Sequence, residues 1–288
     1  MTQNAKRQVE SSETERGIAA VENLVPLHHD AIRVAGAAIP PGDWQRHDPF
    51  LSMMNDRFKP GAFGPHPHRG FETITYVLSG SLAHQDNRGG HGVLHAGDAQ
   101  WMTAGRGVVH NEMPVDENWV HVLQLWLNLL AKDKLVSSRY QDLRGGLMPV
   151  RREPGVEARV FSGRSGDVQG PALNYTPVTM LELRLDAGAS LRQELPGAYN
   201  GFVYVIEGSG AFGRDATTGR KDQTLWLDRA DARESTALTI RATTPLRALL
   251  FAGQPLHEPV VAHGPFVMNT DAQIAQAFDD YQSGHFGE

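Results

Sequence analysis

PHPHRGFETITYVL, residues Pro65 to Leu78, decides how this 288-residue chain is read. His66 and His68 stand two apart, and in an extended strand the side chains at i and i+2 share a face. One strand therefore offers two imidazoles to one ion. Pro67 between them fixes its own φ and biases His66 towards the extended region, so the local sequence favours the conformation the pairing needs. Proline gives no ladder hydrogen bond, which places the segment at a strand start or a sheet edge. Unbroken alternation beyond it predicts Ile74, Tyr76 and Leu78 on the histidines' face and Thr73, Thr75 and Val77 on the other, a metal mouth above an apolar interior.

His110 and Glu112, in RGVVHNEMP, repeat the i, i+2 relation behind two strand-favouring valines. Two strands with two ligands each would supply three imidazole nitrogens and one carboxylate. That set suits Fe(II), Mn(II), Ni(II), Cu(II) or Zn(II) and leaves positions open for water or substrate. A lone HxH says little; two such pairs joined by strand-and-turn sequence say much more.

Composition narrows the class. The chain has 30 glycines and 17 prolines, which fit short strands and frequent turns rather than a helical protein. Its net charge of -6 and scattered basic residues give no reason to expect direct binding of nucleic acid. With no cysteine, disulfides, thiolate metal sites and thiol catalysis are excluded, and any metal must be held by nitrogen and oxygen. The polar first 25 residues lack a signal-peptide core and no long apolar run follows. The expectation is a soluble cytoplasmic protein without a membrane partner.

In chain order, residues 1–20 read as a mobile tail, 21–145 as a first barrel carrying the metal site, and 146–288 as a second barrel without metal ligands that includes a C-terminal helix. Short strands broken by Ser79-Gly80, by Asp86 to Gly90 and by Ala96-Gly97-Asp98 read as hairpins, and Val120 to Leu129 as a strand covered on both faces. A short helix or turn is expected around Ser137 to Leu143. In TMLELRLD (Thr179 to Asp186), Leu181, Leu183 and Leu185 alternate with Glu182, Arg184 and Asp186, the pattern of a half-buried strand. GFVYVIEGSG (Gly201 to Gly210) repeats TYVLSGS. Matching Tyr204 to Tyr76 places Glu194 at His66 and Pro196 at His68; matching LDRAD (Leu227 to Asp231) to LHAGD (Leu94 to Asp98) places Thr243 at His110 and Pro245 at Glu112. Asn269 to Tyr281 reads as a helix capped by Asn269 or Thr270, with Ile274, Phe278 and Tyr281 on one stripe.

HPHRGFETITYVLSG, GDAQWMTAGRGVVHNEMP, LQLWLNL and HGPFVMNT stand in the order and spacing of the pirin family, and the chain resembles pirins from about Asp48 to its C-terminus. The resemblance implies an all-β fold of two cupin (jelly-roll type) barrels in tandem, a bicupin. It also implies one divalent transition metal, Fe(II) foremost, on His66, His68, His110 and Glu112. The general cupin pattern would put the carboxylate at Glu72 or Thr73; the pirin pattern gives that role to Glu112. Some pirins are similar to quercetin 2,3-dioxygenases, which open a flavonol ring with O2 and release CO; others resemble non-catalytic, iron-sensing regulators that bind a transcription factor or a metabolic enzyme. The first reading makes a flavonol the partner and Glu112 the catalytic base, the second a regulatory protein. A two-barrel chain can stand as a monomer.

The remaining candidates have plainer readings. Glu72 is expected to accept a hydrogen bond from a ligand imidazole. His84, His91, His95 and His121 read as surface or core histidines, and Arg69 and Arg106 as structural or surface residues. Trp101, Met102, Trp126 and Phe71 are candidates for an aromatic pocket wall. Gly105-Arg106-Gly107 lacks the Lys-Ser/Thr ending and following helix of a phosphate loop.

Overall fold

The computed structural model describes residues 14–231 and 235–288. Two seven-stranded antiparallel sheets lie face to face, and a smaller sheet backs each to complete a barrel. In the first barrel the large sheet runs, edge to edge, Arg139–Leu143, Ala99–Thr103, Phe71–Ser79, Val120–Asn128, Phe50–Phe58, Arg33–Ile39 and Val25–His29. Its small sheet runs His66–His68, Val108–Pro114, Ser81–Asp86 and His91–His95. The second barrel repeats the plan, with Val178–Leu185, Leu246–Gly253 and Asn200–Glu207 at the centre of its large sheet and Ser190–Pro196, Ser235–Ala242 and Ser209–Phe212 in the small one. The expected pair of all-β barrels in tandem is thus what the chain forms. Among the described residues no helix is long and apolar enough to cross a membrane.

Strand alternation sends each large sheet's side chains to two destinations. One face of each sheet meets the other sheet: Phe50, Ile74, Tyr76, Trp101 and Leu125 pack with Phe161, Phe202, Trp226 and Phe251 in one core between the barrels. The other faces line the barrel interiors. The first interior holds Phe58, Val77, Leu82, Leu94, Val120 and Val122. The second holds Leu181, Leu183, Leu185 and their neighbours. Glu182, on the opposite face of that leucine strand, is not half-exposed as the alternation suggests. It is 1% exposed and pairs with the guanidinium groups of Arg159, Arg184 and Arg247.

The expected parity after the histidines is reversed. His66–His68 belongs to the small sheet and Phe71–Ser79 to the large one, so the chain changes sheets at Arg69-Gly70. Gly70 makes the turn with φ of 89°, where a Cβ would collide with the Val267 carbonyl oxygen. Ile74 and Tyr76 therefore face the second barrel, and Thr75 and Val77 face the interior that the histidines share.

Other expectations need correction. The segment near Ser137 is not helical; Arg139–Leu143 is the edge strand of the first large sheet. In the second barrel the register moves the counterparts of the ligands. Gln193 pairs across to Leu238 as His66 does to His110, which takes Glu194, Pro196, Thr243 and Pro245 out of the ligand positions. Of the tail expected over residues 1–20, residues 1–13 lie outside the described residues, while Thr14–Glu15 and Ile18–Asn23 are strands on the second barrel's sheets. The C-terminal helix spans Asp271–Ser283, with Thr270 in a reciprocal capping box with Gln273 and left-handed Gly284 at its end. A hairpin, Val261–His263 with Phe266–Met268, leads into it. Arg69 ties this whole strap to the first barrel, through a bridge to Phe266 and an ion pair with Asp280 at 2.6 Å.

Candidate metal centre

The short strand His66–His68 pairs antiparallel with Val108–Pro114, and the register sets His66 opposite His110. The three imidazoles of His66, His68 and His110 converge, with ring centroids 4.4 to 4.9 Å apart. Their ligand atoms all lie within 4.8 Å of one another. The outer nitrogens are held: Nδ1 of His66 lies 2.8 Å from the Gly64 carbonyl, and Nδ1 of His68 lies 3.4 Å from the Pro265 carbonyl on the C-terminal strap. Carbonyls only accept, so both rings carry the proton on Nδ1 and turn a bare Nε2 inward. Nε2 of His68 and Nε2 of His110 are buried without a hydrogen-bond partner among the described residues.

Two unpartnered ring nitrogens in a dry site would each cost about 1–3 kcal/mol. A cation among them turns that penalty into coordination, so the residues present fit a divalent metal. The electrostatics keep the rings in the ligating form. Burial, with His66 beside it, pushes His68 down to about 3, and burial with its three histidine neighbours holds His110 well below the ordinary range. Both are neutral at physiological pH.

Glu112 sits beside His110 and opposite His84. Its Oε1 accepts from the Thr75 hydroxyl at 3.1 Å and its Oε2 from the Gln124 amide at 2.8 Å. Its oxygens group with His84 and His110 rather than with His66 and His68. The four residues picked from sequence thus lie in one mouth, three imidazoles in a cluster and the carboxylate at its side.

A cavity of about 780 Å³ opens from this mouth. His66, His68 and Glu112 lie at one part of its wall, Trp126, Met54, Phe58 and Phe63 supply apolar surface, and Arg33 and Asp56 are its other charged residues. Arg33 and Asp56 form an ion pair at 3.0 Å. Trp126 packs on His68 at 5.2 Å and on Phe71 at 4.3 Å, so both join the site's surroundings. Trp101 instead belongs to the core between the barrels, and Met102 packs with Ala104 and Val108.

Glu72 meets no imidazole. It points away from the mouth, accepts from the Thr103 hydroxyl at 2.7 Å, and is pushed up to about 7 by burial. Arg69 and Arg106 do not line the cavity; Arg106 reaches Ser137 at 3.2 Å. His91 and His95 are exposed, and His121 bonds Asn55 at 2.7 Å. His84 is different from these three. It is buried, with Nδ1 3.4 Å from Nδ1 of His110. Its one signal in the sequence is the i, i+2 spacing to Asp86 in SLAHQD, which becomes informative only once its strand is known to border His110.

Residues 33–127 match the Pirin family model, and residues 180–287 match that of the Pirin C-terminal cupin domain. The chain belongs to the pirin family. A pirin-like protein of Solanum lycopersicum is 44% identical over 247 residues, 84% of this chain and 83% of that protein. Among solved structures, GK1651 of Geobacillus kaustophilus superposes with a TM-score of 0.85 at 48% identity, over 86% of this pirin and 100% of that chain. A quercetin 2,3-dioxygenase from Acinetobacter baumannii does so with a TM-score of 0.84 at 30% identity, over 95% of this chain and 99% of its own.

Proposed function

We propose that this pirin is an iron-dependent dioxygenase of the quercetin 2,3-dioxygenase type, which inserts both atoms of O2 into a flavonol, opens its central ring and releases CO. The observation that carries the reading is the pair of buried, unpartnered Nε2 atoms of His68 and His110, with His68 itself on the wall of a largely apolar cavity that also holds the Glu112 carboxylate. Its likeness to a dioxygenase of that name supports it over nearly the whole chain. His66, His68 and His110 would hold the ion with Glu112 beside them. Fe(II) there supplies a Lewis acid for an enolic oxygen and an electron relay to O2.

The chain's own residues do the rest. Glu112 is the general base for the flavonol 3-hydroxyl, taking that proton on a carboxylate oxygen as the substrate oxygen becomes an anion. Thr75 and Gln124 hold the carboxylate against the cluster, and Gln124 remains to shield it once one oxygen is protonated. Trp126, Met54 and Phe58 give the flat aromatic rings an apolar bed and keep water from the anion.

Protein stripped of metal, reloaded anaerobically with Fe(II) and then given quercetin and O2, is expected to release CO in step with quercetin loss. Glu112→Gln should lower kcat by roughly 10²–10⁴-fold, the range of a general base, with quercetin still bound. No CO above the metal-free control would overturn the assignment.

A further inference from the structure

We propose that His84 and Asp86 are positioning residues that fix the tautomer of His110 and so keep its Nε2 free to ligate. The inference rests on the metal-centre reading above and deepens it. The strand Ser81–Asp86 lies beside Val108–Pro114 in a register that pairs Asp86 with His110 and His84 with Glu112. From Asp86 a chain of polar atoms runs inward. Asp86 Oδ2 lies 3.4 Å from Nε2 of His84, and His84 Nδ1 lies 3.4 Å from Nδ1 of His110. The side chains of His84 and Asp86 are 0% and 3% exposed, so water does not break the chain.

Proton counting sets its direction. Two facing Nδ1 atoms share one proton, so one ring donates and the other accepts. The Asp86 carboxylate only accepts, which places a proton on His84 Nε2 and leaves a lone pair on His84 Nδ1. His110 must then donate from Nδ1, and its Nε2 carries the lone pair that faces His66 and His68. Carboxylate, outer histidine and inner histidine form a relay of orientation in which no bond to hydrogen is broken.

The surroundings are built to hold this chain. Asp86 Oδ1 accepts from the backbone N–H groups of Arg88 at 2.7 Å and Gly90 at 2.8 Å, which commits Oδ2 to His84. A Cβ at Gly90 would run into that same Oδ2, so glycine leaves the room. The Tyr140 ring packs on His84 with centroids 4.8 Å apart, and its hydroxyl is fixed by Asp142 at 2.7 Å and Gln100 at 3.0 Å.

The test uses the full chain, labelled with ¹⁵N-histidine and stripped of metal, and then titrated with Co(II). Two-bond ¹H–¹⁵N spectra of the metal-free protein are expected to show His110 protonated on Nδ1 and His84 on Nε2. Asp86→Asn keeps an acceptor for the two backbone groups but turns an N–H donor towards His84, so both tautomers should reverse. Its affinity for Co(II) should fall roughly 10–100-fold, the scale of an outer-sphere partner. His84→Phe should weaken Co(II) comparably, and adding Asp86→Asn to it should change nothing more, which a merely structural Asp86 would not satisfy. The proposal is overturned by a wild-type His110 protonated on Nε2, by wild-type affinity in Asp86→Asn, or by Co(II)-induced shifts showing His84 itself as a ligand. If the wild type binds no Co(II), the metal-centre reading fails and takes this inference with it; the tautomers, read without metal, tell that failure from the others.

Discussion

The two barrels share one frame and fill it with opposite chemistry. Each has a left-handed glycine, Gly80 or Gly208, between the strands that lead into its small sheet. Four residues on stand His84 in the first barrel and Phe212 in the second, and across the ladder from them Glu112 and Ile240. One step along, the pair His66 and His110 answers to Gln193 and Leu238, and His68 to Leu195. Every one of these second-barrel side chains except Gln193 joins a hydrocarbon core, and Gln193 is satisfied by Ser165 at 2.6 Å and the Arg164 carbonyl at 3.0 Å. The first barrel leaves two buried nitrogens bare at the same positions. The frame therefore has no need of polar groups there, and their presence points to an ion.

Copying the second barrel into the first puts that contrast to its strongest test. His68→Leu with His110→Leu, which installs the side chains of Leu195 and Leu238, should abolish metal binding and leave the metal-free chain as stable as the wild type or more so, since apolar side chains replace unpaired polar ones. Metal at a thousandfold excess over its Kd stabilises a site by about 4 kcal/mol. Urea unfolding with and without Co(II) should show a gain of that order for the wild type and none for the variant; a variant that still retains one ion would break the comparison.

A second contrast lies on the faces where the barrels meet. Glu72 occupies the place that Asn200 takes in the second barrel, each four residues before its tyrosine and each buried. Asn200 is neutral and donates to the Arg46 and Asp48 carbonyls. Glu72 is ionisable, and burial raises it from 4.5 to about 7. The folded state thus holds this proton more tightly than the unfolded one. The associated stability is full below about pH 4.5 and is lost as pH rises to about 7, a difference of roughly 3 kcal/mol at most. Glu72→Gln, which still accepts from Thr103, should flatten the stability profile between these pH values and be the more stable protein at pH 8. Denaturant midpoints measured across that range decide it, and an unchanged slope would assign the pH dependence elsewhere.

How far the sequence was legible follows from the range of the forces involved. The HxH and HxE pairs are local: period two along a strand puts their side chains on one face, and the structure brings the three imidazoles together with Glu112 alongside. The C-terminal helix is local too, and its Thr270 cap is readable beside Gln273. Parity beyond His68 was not readable, because alternation presumes one sheet and the chain changes sheets at Gly70. His84 reads as ordinary in the sequence because its meaning comes from a cross-strand neighbour, and Glu72 reads as a partner for an imidazole only where strand parity runs unbroken past Gly70, which it does not. The Pro265 carbonyl at His68 lies 197 residues away and leaves no trace in local pattern.

That distant carbonyl marks a last difference between the barrels, since the C-terminal strap ties itself to the first one. The strap has two parts with separate anchors. Its hairpin carries Pro265 and Val267; Lys134, buried beside it, donates to the Val267 carbonyl at 3.1 Å and to the Gly70 carbonyl at 2.8 Å. Its helix is held by the Thr270 cap, by Arg69 on Asp280, and by Phe266 against Phe278. Thr270→Ala removes one side of the capping box and should destabilise the helix by about 1 kcal/mol. If the hairpin alone positions His68, hydrogen exchange over Asp271–Ser283 should quicken about fivefold while Co(II) affinity stays within twofold of the wild type. A parallel fall in affinity would instead make the helix part of the clamp on His68, with the strap acting as one body.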